Sequence, residues 1–270
     1  MRRLVNSALD FQVDGPARIV LAVAVARCTG LQIEESMRIT RDGDEIGDDE
    51  VQEVQDTHDG VLHVLDATPG AYQMRYEATV SGYEEDGDEG TGAQLGNQVP
   101  SRYAESDRLF GVAAELFGDL DGVELVLAVR QWVQRRTAYV AGSSRPTDGA
   151  LDTFLLGNGV CRDFAHLAIA ILRARGVPAR LIAVYAPGLD PMDFHAVVEV
   201  YVEGAWHTVD ATGLAPRQSL LRVATGRDAA DTSFMTSFGG LVTLDAISVG
   251  AVIDGQLPQD NHTGLVRLSR

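Results

Sequence analysis

The sequence predicts an α+β protein, with an all-β, sandwich-like domain over residues 1–95 and a mixed helix-and-strand domain over residues 96–270. Three observations lead there. In the first 80 or so residues, short Val/Ile/Leu-rich runs alternate with turn signals and show no helical spacing. The acidic, glycine-rich stretch Glu84-Glu85-Asp86-Gly87-Asp88-Glu89-Gly90-Thr91-Gly92 then reads as a connector, and the domain boundary is placed there. Beyond it the apolar spacing changes to i, i+3, i+4. With 270 residues, 45% apolar and 23% charged, the chain can build a packed core.

The elements follow in order. Runs at 18–28, 31–40, 61–67 and 71–80 read as strands, divided by turns such as Arg41-Asp42-Gly43-Asp44 and Thr68-Pro69-Gly70. Ser106 to Phe117 and Val123 to Thr137 have helical spacing, with Trp132 on the core side of the second. A third helix starts near Cys161, presents Phe164, Leu167, Ala168, Ile171 and Leu172, and ends at Arg173-Ala174-Arg175-Gly176-Val177-Pro178. Basic residues fill its last turn, with glycine and proline beyond. Strands follow at about 179–186, 194–202 and 205–211, and Leu241 to Ile253 alternates weakly as one more.

Charge and composition exclude several functions. Twenty-two basic against 39 acidic residues give −17, which repels nucleic acid and anionic lipid. Every basic residue is arginine, so Schiff-base, Walker-type and isopeptide lysine chemistry is absent. The first ten residues carry two positive charges with no apolar run behind them, and no stretch reaches the roughly 20 apolar residues of a membrane span. A soluble, cytoplasmic protein is expected. Asp42, Asp44, Gly47 and Glu53 match parts of a calcium loop, but Ile46 stands at a ligand position. There is no CxxC pair and no glycine-rich nucleotide signature, so neither metal nor cofactor is expected.

Two cysteines differ in setting. Cys28 ends an apolar run and reads as a buried small hydrophobe. Cys161 follows Asn158-Gly159-Val160 directly into a helix, where unpaired N–H groups and the helix dipole favour a thiolate and can serve an oxyanion. Such a nucleophile needs a base. Of six histidines, His58 and His63 fall in the β-domain and His262 in a polar tail, while His166 sits five residues beyond Cys161 and points away from it. His195 and His207 remain.

A two-residue turn at Glu203-Gly204 separates them. In that register Val202 faces Ala205 and Val197 faces Asp210, so His195 and Asp210 share a face of neighbouring strands while His207 points to the other. A carboxylate so placed can fix the imidazole tautomer and hold the imidazolium.

The runs Gly159-Val160-Cys161-Arg162-Asp163-Phe164-Ala165-His166-Leu167, Gly176-Val177-Pro178-Ala179-Arg180, Asp193-Phe194-His195-Ala196 and Trp206-His207-Thr208-Val209-Asp210-Ala211-Thr212 resemble the bacterial transglutaminase-like superfamily. The resemblance covers about 100–240 and implies a papain-like core, often preceded by a β-domain. It implies Cys161 as nucleophile, His195 as base and acid, and Asp210 as the group orienting His195. Val197 stands where many relatives have Trp and should alter the pocket wall; Ala211 stands where Pro is frequent. The backbone N–H of Cys161, with Tyr139 as second donor, is the candidate oxyanion site.

The function this implies is acyl transfer at an amide or peptide bond through an acyl-enzyme, hydrolytic in preference to transamidating. The substrate is then a peptide or protein amide, with an amine acceptor as the alternative to water. A scaffold module that keeps the fold without catalysis is the reading from another class.

Overall fold

The computed structural model describes residues 1–85 and 90–268. The first strand, β1 (Arg2–Val13), turns Val5, Leu9, Phe11 and Val13 inward by strict alternation. The same face buries Arg3 and Ser7, and these polar residues hide the strand from a reading of apolar alternation. It is followed by β2 (Ala17–Leu21), β3 (Leu31–Arg41), β4 (Asp44–Glu45), β5 (Val51–Gln55), β6 (Val61–Ala67) and β7 (Gly70–Gly82). Helices and short strands come next: α1 (Gly90–Gly96), α2 (Phe110–Phe117), α3 (Gly122–Arg136), β8 (Ala138–Tyr139), α4 (Ala150–Leu156), β9 (Asn158–Gly159) and α5 (Cys161–Ala174). The chain continues through β10 (Ala179–Tyr185), β11 (Phe194–Val202), β12 (Ala205–Val209), β13 (Leu221–Gly226), β14 (Met235–Gly239) and β15 (Val242–Ile253). No helix among the described residues is long and apolar enough to cross a membrane.

Two antiparallel sheets, β15-β1-β7-β3-β4 and β14-β2-β6-β5, share one apolar core built from their inward residues. Strands from the end of the chain complete both: β15 pairs along β1 and β14 pairs with β2. Pairing across the expected boundary at residue 95, which falls inside α1, therefore ties the C-terminal strands to the N-terminal sheets. The core also runs on into the third sheet, β12-β11-β10-β13, through Tyr185, Leu221 and Val223. The Tyr185 hydroxyl lies 2.8 Å from Val23 O and 2.9 Å from Ser7 Oγ.

The apolar run at 18–28 is strand only as far as Leu21. Ala22 to Ala26 are all buried without strand pairing, their amides held by Phe234 O, the Tyr76 hydroxyl and Arg222 O. Small side chains let this segment lie between the sandwich and the third sheet. Within the acidic connector, residues 86–89 lie outside the described residues. Glu84 is no solvated loop charge: it pairs with Arg222 at 3.0 Å, its side chain 11% exposed.

Helix α5 positions the site. From Asp163 to Arg173 every residue is buried, because α2, α3 and α4 pack around it and β10 and β11 lie beneath. Its apolar surface is thus wider than the single stripe the spacing predicts. Trp132 packs edge-on to Phe117 and against Phe154, in the same core.

Candidate active site

Cys161 is the first residue of α5. The short parallel pair of β8 with β9 brings Tyr139 opposite Gly159, two residues before the sulfur. A side chain has no room at Gly159, where an added Cβ would lie 2.6 Å from Asp163 Cβ. Asp163, in the first turn, closes the helix start: Oδ2 accepts the Val160 N–H at 2.8 Å and Oδ1 accepts the Ser144 hydroxyl at 2.9 Å. Arg162 donates to Ser144 Oγ and Arg145 O, at 2.6 and 2.7 Å, and so pins the preceding loop. None of these three roles was read from the sequence. An acid in the first turn of a helix that begins at a cysteine is the signal that could have found Asp163.

The β11–β12 hairpin has the register expected from its turn. Val202 opposes Ala205 and Val198 opposes Val209, while Glu203 and Gly204 take φ values of 50° and 77° in a tight primed turn. Asp210 follows the last paired residue, and its Oδ2 accepts from His195 Nε2 at 3.1 Å. Both side chains are 1% exposed. Asp210 Oδ1 accepts the Thr212 N–H and hydroxyl, at 2.8 and 2.6 Å, so both carboxylate oxygens are engaged.

Electrostatics follow from this burial. Desolvation works against a charged His195, but Asp210, by charge and by hydrogen bond, and then Cys161 outweigh it and raise the imidazole to about 10. Burial likewise opposes the Asp210 carboxylate, yet His195 and the Thr212 donors bring it down to about 2. The second ring nitrogen, Nδ1, is buried and outside normal hydrogen-bond geometry. With Nε2 committed to Asp210, Nδ1 is the nitrogen left for Cys161, a half-buried free thiol.

Tyr139 also reaches this point. Its ring tilts against Phe164 at 6.0 Å, and its hydroxyl lies near enough to Cys161 to feel it electrostatically. Burial, reinforced by Cys161 and Asp193, pushes its hydroxyl up to about 12, so it stays a proton donor at neutral pH. The two candidate oxyanion donors thus lie near each other.

The other sequence candidates lie elsewhere. His166 is fully buried, stacks on Tyr103 at 5.3 Å and accepts the Ala229 N–H at 3.1 Å; burial takes it down to about 3. His207 faces away, opposite Val200, with Nδ1 3.1 Å from Ala205 O. His63 is buried beside Glu53 at 3.6 Å. Cys28 is half-buried and desolvation pushes its thiol up to about 12. Val197, expected at the pocket wall, is instead 1% exposed inside an apolar cluster with Ile182, Val184 and Leu220. Strand alternation sends it into this small core. No metal-binding group of three or more His, Cys, Asp or Glu occurs among the described residues.

Residues 112–211 match the family model of the transglutaminase-like superfamily. A crystal structure of a candidate cysteine protease from Cytophaga hutchinsonii is 32% identical to the chain. The match covers 98% of this chain and 96% of that one, with a TM-score of 0.87. Among curated proteins, an uncharacterized Mycobacterium leprae protein is 25% identical over 143 residues, which is 50% of this chain and 51% of that protein. An uncharacterized Mycobacterium tuberculosis protein is 30% identical over 124 residues, 40% of each. The chain thus spans about half the length, or less, of the curated relatives it matches. With its helix-borne cysteine, its buried His–Asp pair and a relative 32% identical over 98% of this chain, the chain belongs to the transglutaminase-like superfamily.

Proposed function

We propose that this protein is a cysteine peptidase or amidase that works through Cys161, His195 and Asp210. The observation that carries the reading is the buried His195–Asp210 pair, whose remaining ring nitrogen is left for a thiol at the start of α5. The likeness to the Cytophaga hutchinsonii candidate protease, which runs the length of both chains, supports hydrolysis over transamidation.

The steps balance without a cofactor. Cys161 sulfur attacks the amide carbonyl carbon, forming a C–S bond and placing charge on the oxygen, beside the Cys161 N–H and the Tyr139 hydroxyl. Collapse breaks the C–N bond, and the leaving amine takes the proton held by His195 Nδ1. Water then attacks the thioester while Nδ1 accepts its proton, and the acid leaves as the sulfur is restored. Asp210 holds the ring through both transfers. An amine in place of water would give transamidation by the same path. The segments carrying Tyr139, His195 and Asp210 each expose an apolar side chain, at Val140, Met192 and Leu214, which suits a peptide rather than a small polar amide.

The test is the rate of Cys161 labelling by iodoacetamide from pH 4 to 9, in a Cys28→Ala background, for wild type and His195→Ala. An unsupported thiol loses reactivity about tenfold per pH unit below roughly 8.5. The wild type should depart from that line and His195→Ala should follow it. Identical profiles would refute the pairing and favour the scaffold reading. Peptide pools with and without added amine then separate hydrolysis from transamidation.

A further inference from the structure

The segment after β15 returns across the candidate active site. Its Asp260 is held by Arg217, which lies seven residues beyond Asp210. Arg217 Nε and Nη2 donate to Asp260 Oδ2 and Oδ1 at 2.8 and 2.9 Å, and the Arg217 backbone N–H adds a bond of 3.0 Å to Oδ2. Asp260 Oδ1 also accepts the His262 N–H at 2.9 Å. Both charged side chains are nearly sealed, at 3% and 2% exposure. The last Arg217 nitrogen, Nη1, ties β12 to the returning segment: it donates to Thr208 O at 3.1 Å and to Gly264 O at 2.9 Å. Thr208 N in turn donates to Val266 O at 2.6 Å, so the returning segment bridges to β12 two residues before Asp210.

The opposite side of the same turn is held by α3. Arg130 Nε donates to the Asp210 carbonyl at 3.1 Å, and Gln134 Nε2 to Thr212 O at 3.3 Å. Gly213 sits between the two supports. A Cβ there would fall 3.0 Å from Arg130 Nη2 and Gln134 Nε2, and 3.8 Å from His262 Cδ2. The charged and titratable groups around the Asp210 turn are therefore His195 on β11, Arg130 on α3, and Arg217, Asp260 and His262 from the strap side.

We infer that Arg217 and Asp260 are positioning residues for the catalytic pair, and that the strap of residues 256–268 sets where Asp210 presents its carboxylate to His195. The inference rests on the proposed triad and goes beyond it: the match to the family model ends at residue 211, before both residues. The cause is geometric. Asp210 lies beyond the last paired residue of β12, so strand pairing does not fix it. Its carbonyl is held from α3 by Arg130, and the strap fixes the chain two residues before it, at Thr208. A buried, bidentate Arg–Asp fork is costly to break, so this clamp does not open and close freely.

The test uses the full chain with Cys28→Ala, adding Asp260→Asn or Arg217→Lys. The readouts are the iodoacetamide labelling rate of Cys161 at pH 6 and pH 9, and the thermal midpoint. If the strap positions Asp210, the pH 6 rate falls about tenfold, short of the roughly 10²-fold that a 1 Å misplacement costs, while the pH 9 rate changes less than twofold. A merely structural strap would lower the midpoint and leave the ratio of the two rates unchanged, and that result overturns the inference. Should Asp260→Asn not fold, Arg217→Lys decides, because it keeps the cation and removes the fork. A ratio lost in His195→Ala but kept in both strap variants sinks the strap alone. A ratio equal in His195→Ala and wild type removes the triad reading, and the strap's role with it.

Discussion

Asp210→Asn tests whether the buried pair is ionic, because the amide keeps the shape of the carboxylate and removes its charge. In the wild type His195 sits at about 10, above its ordinary 6.5. A pKa raised on folding contributes stability that is complete below the unfolded value and is lost as pH rises through the folded one. The His195 contribution is therefore complete below pH 6.5 and declines by roughly 1.4 kcal/mol per pH unit up to about pH 10. Asp210, depressed to about 2, contributes above its ordinary 3.8 and loses that contribution as pH falls through 2. In the folded protein both groups are thus charged from about pH 2 to 10, and their contribution to stability is complete from about pH 4 to 6.5. With asparagine at 210, His195 keeps only Cys161 against the effect of burial, so its pKa falls and protonation favours folding far less. Breaking a buried pair costs about 3–5 kcal/mol. The wild type should exceed Asp210→Asn by about that amount at pH 5.5, and the gap should narrow by a few kcal/mol at pH 8.5. Urea unfolding at the two pH values, with matched m-values, measures it. A gap that is the same at both, or wider at pH 8.5, would refute an ionic His195–Asp210 pair.

Further outcomes follow from individual contacts. Tyr139→Phe removes one of two neighbouring candidate donors and should lower turnover of a peptide substrate by about 10²-fold with little change in KM; unchanged kcat would exclude the hydroxyl from the oxyanion site. His166, held neutral by burial with a value near 3, gives the opposite sign to His195, since its contribution is lost as pH falls below 6.5. His166→Leu should cost about 1–3 kcal/mol at pH 7, because the Ala229 N–H loses its acceptor, and should flatten the acid limb of the stability curve. Glu199→Gln strips the charge that Arg180 and Arg222 share and should destabilise by about 3–5 kcal/mol. A change under 1 kcal/mol in denaturant melts would show that Glu84 alone satisfies Arg222.

The elements around the chemistry were readable because their signals are local. The helix from Cys161 announces itself through spacing and its Arg/Gly/Pro ending, and the Glu203-Gly204 turn fixes the hairpin register that puts His195 and Asp210 on one face. Strand β1 was not readable, since Arg3 and Ser7 occupy inward positions that only a polar partner makes tolerable: Arg3 donates to Leu220 O and Gly82 O, 217 and 79 residues away. Glu84 was misjudged for the same reason, as its partner Arg222 lies 138 residues further along the chain.

By itself, then, the sequence determined the α+β class and the parity of the hairpin that pairs His195 with Asp210, because turn residues and apolar periods act over a few residues. Tertiary structure decided what depends on distant groups meeting. It ran β14 and β15 back into the first sheets, buried Val197 in a small apolar core, and brought Tyr139 near Cys161. It also decided which charges are sealed, since no period in the chain relates Arg217 to Asp260 across 43 residues. The strength of a buried ionic contact comes from the low dielectric that the whole fold creates around it, and that environment has no local signature.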